Sequence, residues 1–315
     1  MTFSTAPIDV VAPATSANLG PGFDALGLAL RLHDRLTATV TGGGLRVEVE
    51  GAGAWAVPRD ETHLVVRSMR AAFDRLGVRP PGLHLQCRNV IPHGFGLGSS
   101  AAAIVSGIVA ARALVEGAPP ALSDEEVLAL ASSIEGHPDN VAACLLGGLT
   151  IAWTQDGEGR AIRRDTRVGG VLLVPAEPVS TEAARALLPP TVQHEAAAAN
   201  AGRAALLVAA MTGSEPSREV LFAATREWLH QEQRSGAMPG TWSLLEQLRA
   251  EKLPAVVSGA GPSVLVLLPD DPHGTVLAEV RRRTPQGWTC RAVGVEPVGA
   301  RVLGMSDDSP ALRGS

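Results

Sequence analysis

The chain has 315 residues, of which 45% are hydrophobic, and its formal net charge at pH 7 is -5. This length favours two domains of roughly 150 residues each, and the weakly acidic charge gives no electrostatic reason to expect a nucleic acid partner. The three cysteines, Cys87, Cys144 and Cys290, form no CxxC pair, which argues against a disulfide framework and against a zinc site.

The N-terminal residues, MTFSTAPIDVV, contain no basic region ahead of an apolar run. A secretory signal is therefore not expected, and the protein is predicted to be cytoplasmic. Residues 91–111 contain no charged side chain, but Pro92, His93 and four glycines interrupt them. Because a spanning helix needs about 20 consecutive apolar residues, no membrane association is predicted.

The first half of the chain contains both strand and helix patterns. Strands are predicted where apolar and polar residues alternate or where turn residues bound an apolar run, at residues 8–12, 35–40, 45–50, 83–89 and 149–153. Helical periodicity predicts helices at residues 62–76, 99–114 and 123–135. Ser123 and Glu126 form a capping-box pattern, which places the start of the third helix at Ser123.

The polar segment 156–165 is the expected domain boundary, with one domain at 1–160 and a second at 161–305. A disordered tail is expected at 306–315. In the second domain, strands are predicted at residues 170–174, 255–257, 263–267 and 288–295. Helices are predicted at residues 181–188, 195–211, 218–233, 242–250 and 274–283.

The loop GFGLGSSAAA, residues 94–103, is rich in glycine and serine where a helix should begin. Glycines at 94, 96 and 98 allow tight backbone turns, and Ser99 and Ser100 open the helix, where unpaired N–H groups favour an anion. Lys252 is the only lysine and there is no Walker A motif, so any nucleotide site must do without that lysine, which suits a phosphate site built from backbone groups. The alternative is a plain glycine turn with a serine N-cap.

Two further loops are unusually rich in small and polar residues. The stretch APATSANLGPGFDALGLAL places Asn18, Gly20, Gly22 and Asp24 in a predicted polar loop, and SGAGPS at 258–263 is another loop between strands. Each by itself is typical of a turn. Three such loops at the ends of predicted strands favour backbones that gather around one ligand.

The segment IEGHPDNVAACLLGG, residues 134–148, places Glu135, His137, Asp139 and Asn140 close together. A carboxylate with a serine hydroxyl from the glycine loop is a suitable oxygen pair for Mg²⁺. The alternative is a helix end closed by glycine and proline, followed by a helix that an aspartate caps. That alternative does not account for Glu135 or Asn140.

These four motifs, in this order and spacing, resemble the GHMP family of small-molecule kinases from about Val10 to Arg301. The forms NLGPGFD and EGHPDN, with VSTEAARALLP at 179–189, are similar to the homoserine branch of that family. The resemblance implies a two-domain α+β fold. Its N-terminal domain would be like the second domain of ribosomal protein S5, with a left-handed βαβ crossover, and its C-terminal domain would be a ferredoxin-like α+β sandwich.

The resemblance also implies an ATP-dependent kinase of threonine biosynthesis, with ATP and Mg²⁺ as cofactors, that phosphorylates the side-chain hydroxyl of L-homoserine. The residues implied to contact the nucleotide phosphates are Pro92, Gly94, Gly96, Leu97, Gly98, Ser99, Ser100 and Ala101. Ser100 and Glu135 would hold the metal. The residues implied to face homoserine are Asn18, Asp24, His137, Asn140, Arg185, Arg234 and Gly261.

The same resemblance assigns catalysis to Asn140, Glu135 and Ser100, and it leaves open whether Asp139 acts as a base. Two alternatives to the homoserine assignment stay open, a sibling kinase for another small alcohol and a non-catalytic sensor of a nucleotide or amino acid. No nucleic acid or membrane partner is expected. A homodimer is compatible with the sequence.

Overall fold

The computed structural model describes residues 2–117, 122–269 and 274–304, so the predicted tail at 306–315 lies outside the described residues. The strands are β1 (Thr2–Phe3), β2 (Ile8–Asn18), β3 (Gly22–Thr41), β4 (Gly44–Gly51), β5 (Gly82–Asn89), β6 (Val115–Glu116), β7 (Leu149–Gln155), β8 (Glu158–Arg164), β9 (Gly169–Val174), β10 (Ala255–Val257), β11 (Val264–Leu268), β12 (Thr289–Val293) and β13 (Arg301–Val302). The helices are α1 (Leu64–Arg75), α2 (Ser99–Leu114), α3 (Asp124–Glu135), α4 (Asp139–Leu146), α5 (Thr181–Ala186), α6 (His194–Thr212), α7 (Arg218–Ala224), α8 (Pro239–Ala250) and α9 (Thr275–Arg283), with a 3-10 turn at Ser235–Ala237.

The larger sheet has seven strands, with β13, β2, β3, β5 and β4 in spatial order and the β7–β8 hairpin joined to β3. Strands β4 and β5 are parallel and α1 connects them, so they form a βαβ unit. Helix α2 packs against β2 and α1, and it is buried on almost all sides. A helix that is apolar all round belongs in a core, which explains the alanine, valine and isoleucine run after the glycine loop.

The smaller sheet has four antiparallel strands in the order β10, β11, β9, β12. On β9, Val171 and Leu173 pack with the apolar face of α8, whereas Leu172 and Val174 belong to the main core. Both faces of this sheet are therefore covered. Strands buried on both faces read as continuous apolar runs, as in VLVLL of β11.

The structure corrects several sequence predictions of local structure. The first and second predicted strands extend into β2 and β3, which reach to within three residues of each other, so most of the predicted polar loop is strand. The polar segment near the predicted boundary forms β8, which pairs with β7. The helix predicted at 218–233 is wrong beyond Ala224, because the Glu227 carboxylate accepts hydrogen bonds from the backbone N–H groups of Leu229, His230 and Gln231 and stabilises a non-helical turn.

The end of the described chain returns to the larger sheet, where β13 pairs with β2 and Val295 bridges to Leu30. The division of the chain after residue 160 stays a prediction. Within the three described ranges, none of the helices combines the length and the apolar character that a membrane crossing requires.

Candidate active site

The three small-residue loops of the sequence lie against one another beside the end of β2. The backbone N–H of Thr15 donates to the Leu97 carbonyl (3.0 Å), and the N–H of Gly259 donates to the Ala17 carbonyl (3.1 Å). The Ser258 hydroxyl donates to the carbonyl oxygen of Gly96 (2.7 Å). A side-chain hydroxyl and a backbone carbonyl 162 positions apart in sequence are thus directly bonded, and the loops form one surface.

The glycines of the phosphate-loop candidate are required by packing as well as by backbone conformation. Gly96 and Gly98 have φ values of 69° and 68°. A Cβ on Gly96 would overlap the Ser258 carbonyl oxygen, and one on Gly98 would overlap the Thr15 hydroxyl. The space that these glycines leave is therefore filled by protein atoms, so substitution would disrupt the contact between the loops.

We expect Gly96→Ala to lower the free energy of unfolding by at least about 2 kcal/mol, because a positive φ and a steric overlap add together. The matched control is Gly77→Ala. Gly77 has nearly the same φ, 67°, but an added Cβ there meets nothing within 4 Å, so only the backbone cost of about 1 kcal/mol remains. Urea denaturation of the two variants measures the difference. If both variants lost the same free energy of unfolding, the steric overlap at Gly96 would be relieved without an energetic cost.

The N-terminus of α2 presents free backbone donors at the surface of this loop. Gly98 is the N-cap residue in a left-handed conformation, and no side chain within the described ranges caps the first turn. Ser99 and Ser100 are half-buried, and Leu97 and Ala101 are buried behind them. The unpaired N–H groups and the positive end of the helix dipole make this an anion-binding position. The Gly94 carbonyl is occupied, because it accepts from the Val179 N–H (2.9 Å).

A pair of oxygen ligands stands beside this helix terminus. The Ser100 hydroxyl donates to Oε1 of Glu135, at the end of α3, over 2.6 Å. Burial raises the pKa of the Glu135 carboxyl, while the Ser100 hydrogen bond acts in the opposite direction. Hard oxygen donors of this kind fit Mg²⁺, which takes its remaining ligands from water and substrate phosphates. In the described part of the chain no group of three or more His, Cys, Asp or Glu side chains is placed to hold a metal ion.

At the start of α4, two polar residues contact a buried carboxylate. Oδ1 of Asp139 accepts from Nδ1 of His137 (2.7 Å) and from the backbone N–H of Asn140 (2.7 Å). The Asp139 hydrogen bond is the main cause that raises the pKa of His137, and the carboxylates of Glu135 and Asp24 raise it further. The Asn140 amide oxygen accepts from the Thr15 hydroxyl (2.6 Å), and its amide nitrogen donates to Oδ1 of Asp139 over a long 3.5 Å.

The β2–β3 turn carries the opposite end of the site. Asn18 and Asp24 both have positive φ, and the Asn18 amide oxygen accepts from the Asp24 N–H (2.9 Å). Oδ1 of Asp24 accepts from Nη2 of Arg185 (2.6 Å). The guanidinium groups of Arg185 and Arg234 lie 5.6 and 5.3 Å from the ring centre of Phe23. One carboxylate and two guanidinium groups are thus collected around one aromatic ring.

Arg234 and Gly261 occupy buried positions in this arrangement. Arg234 is only 2% exposed, and its Nε has no hydrogen-bond partner among the described residues. Burial lowers the pKa of its guanidinium, and the neighbouring Arg185 contributes to the same shift. Gly261 lies against the sulfur of Met238 and next to Gly96. The loop holding Gly261 therefore supports the glycine loop from behind.

A cavity of about 260 Å³ opens beside Ser99 and Ser100. Its walls come from β3, the segment before α1, β5 and α2, and include Asp34, His63, Cys87, Asn89 and His93. Oδ1 of Asp34 accepts from the N–H groups of Val90 (2.6 Å) and Ile91 (2.8 Å) and so fixes the entry to the glycine loop. Burial raises the pKa of Asp34 from 3.8 to about 6.

We expect Asp34→Asn to raise the free energy of unfolding at pH 7.5 by about 2 to 3 kcal/mol. Between pH 3.8 and about 6 the folded protein binds more protons at Asp34 than the unfolded chain, so stability falls as pH rises through this window. The asparagine oxygen can accept both hydrogen bonds without a charge. Denaturation at pH 7.5 and at pH 4.5 should show that the gain is much smaller at the lower pH.

The control is Asp9→Asn on the adjacent strand β2. The Arg35 hydrogen bond is the main cause that lowers the pKa of Asp9. The ionised Asp9 carboxylate therefore stabilises the folded state, and Asp9→Asn should lower the free energy of unfolding at pH 7.5. A gain for Asp9→Asn, or none for Asp34→Asn, would contradict the assignment of these two environments.

Comparison with known proteins gives the family of this chain. Residues 63–148 match the family described as GHMP kinases N terminal domain. Homoserine kinase from Streptomyces coelicolor is 51% identical over 309 residues, which cover 98% of this chain and 98% of that protein. Homoserine kinase from Clavibacter michiganensis is 48% identical, with 96% of each chain covered.

The chain belongs to the homoserine kinase branch of the GHMP kinase family. The crystal structure of homoserine kinase from Cytophaga hutchinsonii superimposes with a TM-score of 0.81 over 96% of this chain and 99% of that one, at 24% identity. The predicted α+β GHMP kinase fold is therefore confirmed.

In the homoserine kinase fold of this chain, the predicted site residues fall into two groups. The glycine loop, Ser100 and Glu135 form the first, and Asn18, Asp24, Arg185 and Arg234 form the second. His137 and Asn140 stand at the start of α4, where Asn140 contacts Thr15 and the charges of both Glu135 and Asp24 raise the pKa of His137. Leu97 accepts the Thr15 N–H through its backbone carbonyl, and its buried side chain supports the glycine loop, which Pro92 precedes.

Sequence reasoning missed Thr15, Phe23, Glu227 and His230. Thr15 and Phe23 lie inside the first small-residue motif, but the family resemblance assigned substrate contacts to neighbouring residues and not to these two. His230 and Glu227 lie in the segment that was predicted to continue a helix. The sequence signal that could have indicated them is the group of Glu, His and Arg residues at 227–234, in a segment that also contains apolar residues.

Proposed function

We propose that the protein is a homoserine kinase, which transfers the γ-phosphoryl group of ATP to the side-chain hydroxyl of L-homoserine and forms O-phospho-L-homoserine and ADP. Relatives that carry this name match nearly the whole chain at about half identity. The geometry that carries the proposal is the corner of Asp24, Arg185 and Arg234. One anionic and two cationic side chains match the ammonium and carboxylate groups of an amino acid.

The nucleotide phosphates bind the backbone N–H groups at the start of α2, where residues 94–101 provide the contacts. Two features support this position: the uncapped first turn and the absence of any lysine in the first half of the chain. The nucleotide base occupies the adjacent cavity, which begins at Ser99 and Ser100 and has mainly apolar walls with a few polar groups.

Ser100 and Glu135 hold Mg²⁺ at the edge of the phosphate site. When bound, the ion neutralises phosphate charge during transfer. Glu135 is buried and bonded to Ser100, so the two oxygens are already placed together. The carboxylate is therefore preorganised for a cation.

Homoserine lies between the turn and the phosphate site, with its ammonium group at Asp24 and its carboxylate at the two arginines. Asp24 and Arg185 bond to each other in this structure, and the amino acid replaces that pair. Its side-chain hydroxyl then points toward Asn140 and His137. The hydroxyl oxygen forms a bond to Pγ, the bond from Pγ to the bridging oxygen of ADP breaks, and the hydroxyl proton is released.

Positioning is the main contribution of the chain to this reaction, because phosphoryl transfer proceeds through a loose transition state. Asn140 offers the amide N–H that does not face Asp139, since Thr15 occupies its amide oxygen. Asp139 is 2% exposed and already accepts from His137 and Asn140. It orients His137 rather than contacting the substrate. The cytoplasmic location and a homodimer remain predictions from the sequence.

The test is a coupled assay of ADP formation with L-homoserine, L-serine, 3-amino-1-propanol and mevalonate as acceptors, with product identification by ³¹P NMR. We expect L-homoserine to have the largest kcat/KM and to give a phosphate monoester. Turnover of mevalonate without homoserine would replace the proposal with a sibling kinase. ATP binding without transfer to any acceptor would favour a sensor.

A further inference from the structure

A fully buried histidine connects the substrate turn to Arg234. His230 is 0% exposed. Its Nε2 lies 2.8 Å from the Gly20 carbonyl oxygen, and its Nδ1 lies 3.2 Å from Nη1 of Arg234. Gly20 is in the β2–β3 turn, between Asn18 and Asp24. The imidazole therefore bonds to both ends of the proposed amino acid site.

These two partners determine the protonation of the ring. A carbonyl oxygen can only accept, so Nε2 carries the proton, and a guanidinium can only donate, so Nδ1 is the acceptor. His230 is thus a neutral imidazole with its hydrogen on Nε2. Burial lowers the pKa of His230, which favours the same state. The Glu227 carboxylate is 3.9 Å from Nε2, but backbone N–H groups already occupy it.

The ring also packs in the stack that holds the arginine. His230 stacks on Phe23 with ring centres 5.0 Å apart and planes inclined by 26°. The guanidinium of Arg234 lies over the same Phe23 ring. One guanidinium nitrogen is held by His230, whereas Nε has no partner in the part of the chain that the structure describes. A buried donor without a partner points to a ligand that supplies an acceptor.

We propose that His230 is a positioning residue, which holds the guanidinium of Arg234 through Nδ1 in the orientation that receives the carboxylate of the substrate. The inference rests on the proposed function, since it assumes an amino acid acceptor. Because Nε2 is anchored to Gly20, the ring sets the distance between Arg234 and Asp24. This distance selects substrates that carry an ammonium and a carboxylate on the same carbon.

Two isosteric variants separate the roles of the ring nitrogens. In His230→Asn the side-chain oxygen takes the place of Nδ1 and can still accept from Arg234. In His230→Gln the amide N–H reaches the place of Nε2 and can still donate to Gly20, but the acceptor for Arg234 is lost. We expect His230→Gln to raise the KM for homoserine about tenfold, with kcat and the KM for ATP within about twofold of wild type. We expect His230→Asn to raise the homoserine KM much less.

A substrate without a carboxylate provides the second comparison. The kcat/KM for 3-amino-1-propanol should be unchanged in His230→Gln, so the preference for homoserine falls by the same factor of about ten. A histidine that only fills space would affect both acceptors, or neither. Equal KM values for wild type and His230→Gln, or equal losses in both variants, would overturn the inference.

Nitrogen NMR of the wild-type protein gives a test that does not depend on the variants folding. We expect the Nε2–H tautomer of His230 at pH 7, and a shift of the Nδ1 resonance on addition of homoserine but not of 3-amino-1-propanol. A protonated ring, or the Nδ1–H tautomer, would overturn the inference. If wild-type protein phosphorylates no amino acid, the proposed function fails, and that outcome is distinct from normal turnover with an insensitive His230.

Discussion

Glu135→Gln is expected to lower kcat at least about a hundredfold, on the order of 3 kcal/mol of transition-state stabilisation. The glutamine oxygen can still accept from the Ser100 hydroxyl, so the substitution removes the charge and preserves the shape. The negative charge of Glu135 is expected to hold Mg²⁺ beside the phosphoryl group that is transferred. Steady-state kinetics at several Mg²⁺ concentrations measure both the fall in kcat and a higher requirement for the ion.

Loss of fold cannot explain that expected result. Burial raises the pKa of Glu135, so the ionised carboxylate is costly in the folded state and a neutral amide should be at least as stable. The control is Glu125→Gln in the first turn of the same helix, a largely exposed position outside the site. It should retain wild-type kcat. A kcat for Glu135→Gln within threefold of wild type would remove Glu135 from the metal site.

Arg234→Met is expected to raise the KM for homoserine about a hundredfold, corresponding to about 3 kcal/mol, and to leave the KM for ATP unchanged. Arg234 is buried, and its Nε has no hydrogen-bond partner among the described residues, so its bond to a carboxylate would be shielded from water. Arg185 is more exposed and already pairs with Asp24, so Arg185→Met should cause a smaller increase of about tenfold. Initial rates across homoserine concentration measure both.

Methionine keeps the length of the arginine stem and its contact with Phe23. Removal of a buried cation favours folding, whereas the loss of the hydrogen bond to Nδ1 of His230 opposes it. Because these effects offset each other, the free energy of unfolding should change by less than about 1 kcal/mol. The control is Arg226→Met. Arg226 is an exposed arginine in the same segment that also lies over an aromatic ring, Trp228, and it is outside the site. A homoserine KM for Arg234→Met equal to that of this control would place the carboxylate elsewhere.

Where structure is determined by neighbouring residues, the sequence predicts it well. The bounds of α2, Ser99–Leu114, agree with the prediction. In α3 the Ser123 side chain accepts from the Glu126 N–H and the reciprocal bond is present, as the capping-box pattern predicts. Both signals act within one helical turn, so they depend little on the rest of the fold. The family motifs likewise identified the GHMP kinase fold before any contact was known.

Contacts across the chain could not be predicted in the same way. Strand β3 is much longer than the alternating segment predicted for it, because pairing with β2, β5 and β7 stabilises residues whose own pattern is ambiguous. The segment after Ala224 has helical periodicity, yet the Glu227 carboxylate binds three backbone N–H groups and ends the helix. Local preference differs by tenths of a kcal/mol per residue, and such tertiary bonds override it.

By itself the sequence determined the family, the glycine loop at the start of α2 and the residue types that an amino acid kinase requires. Only the tertiary structure decided that Gly96 packs on Ser258 and that His230 joins Arg234 to the substrate turn. It also decided that Arg234 is buried with an Nε donor that no described residue accepts. A motif shows which chemical groups are present, because local backbone geometry and chemistry restrict the residue types at those positions. The orientation and burial of those groups depend on contacts between residues as far as 242 positions apart, and chain folding alone brings these together.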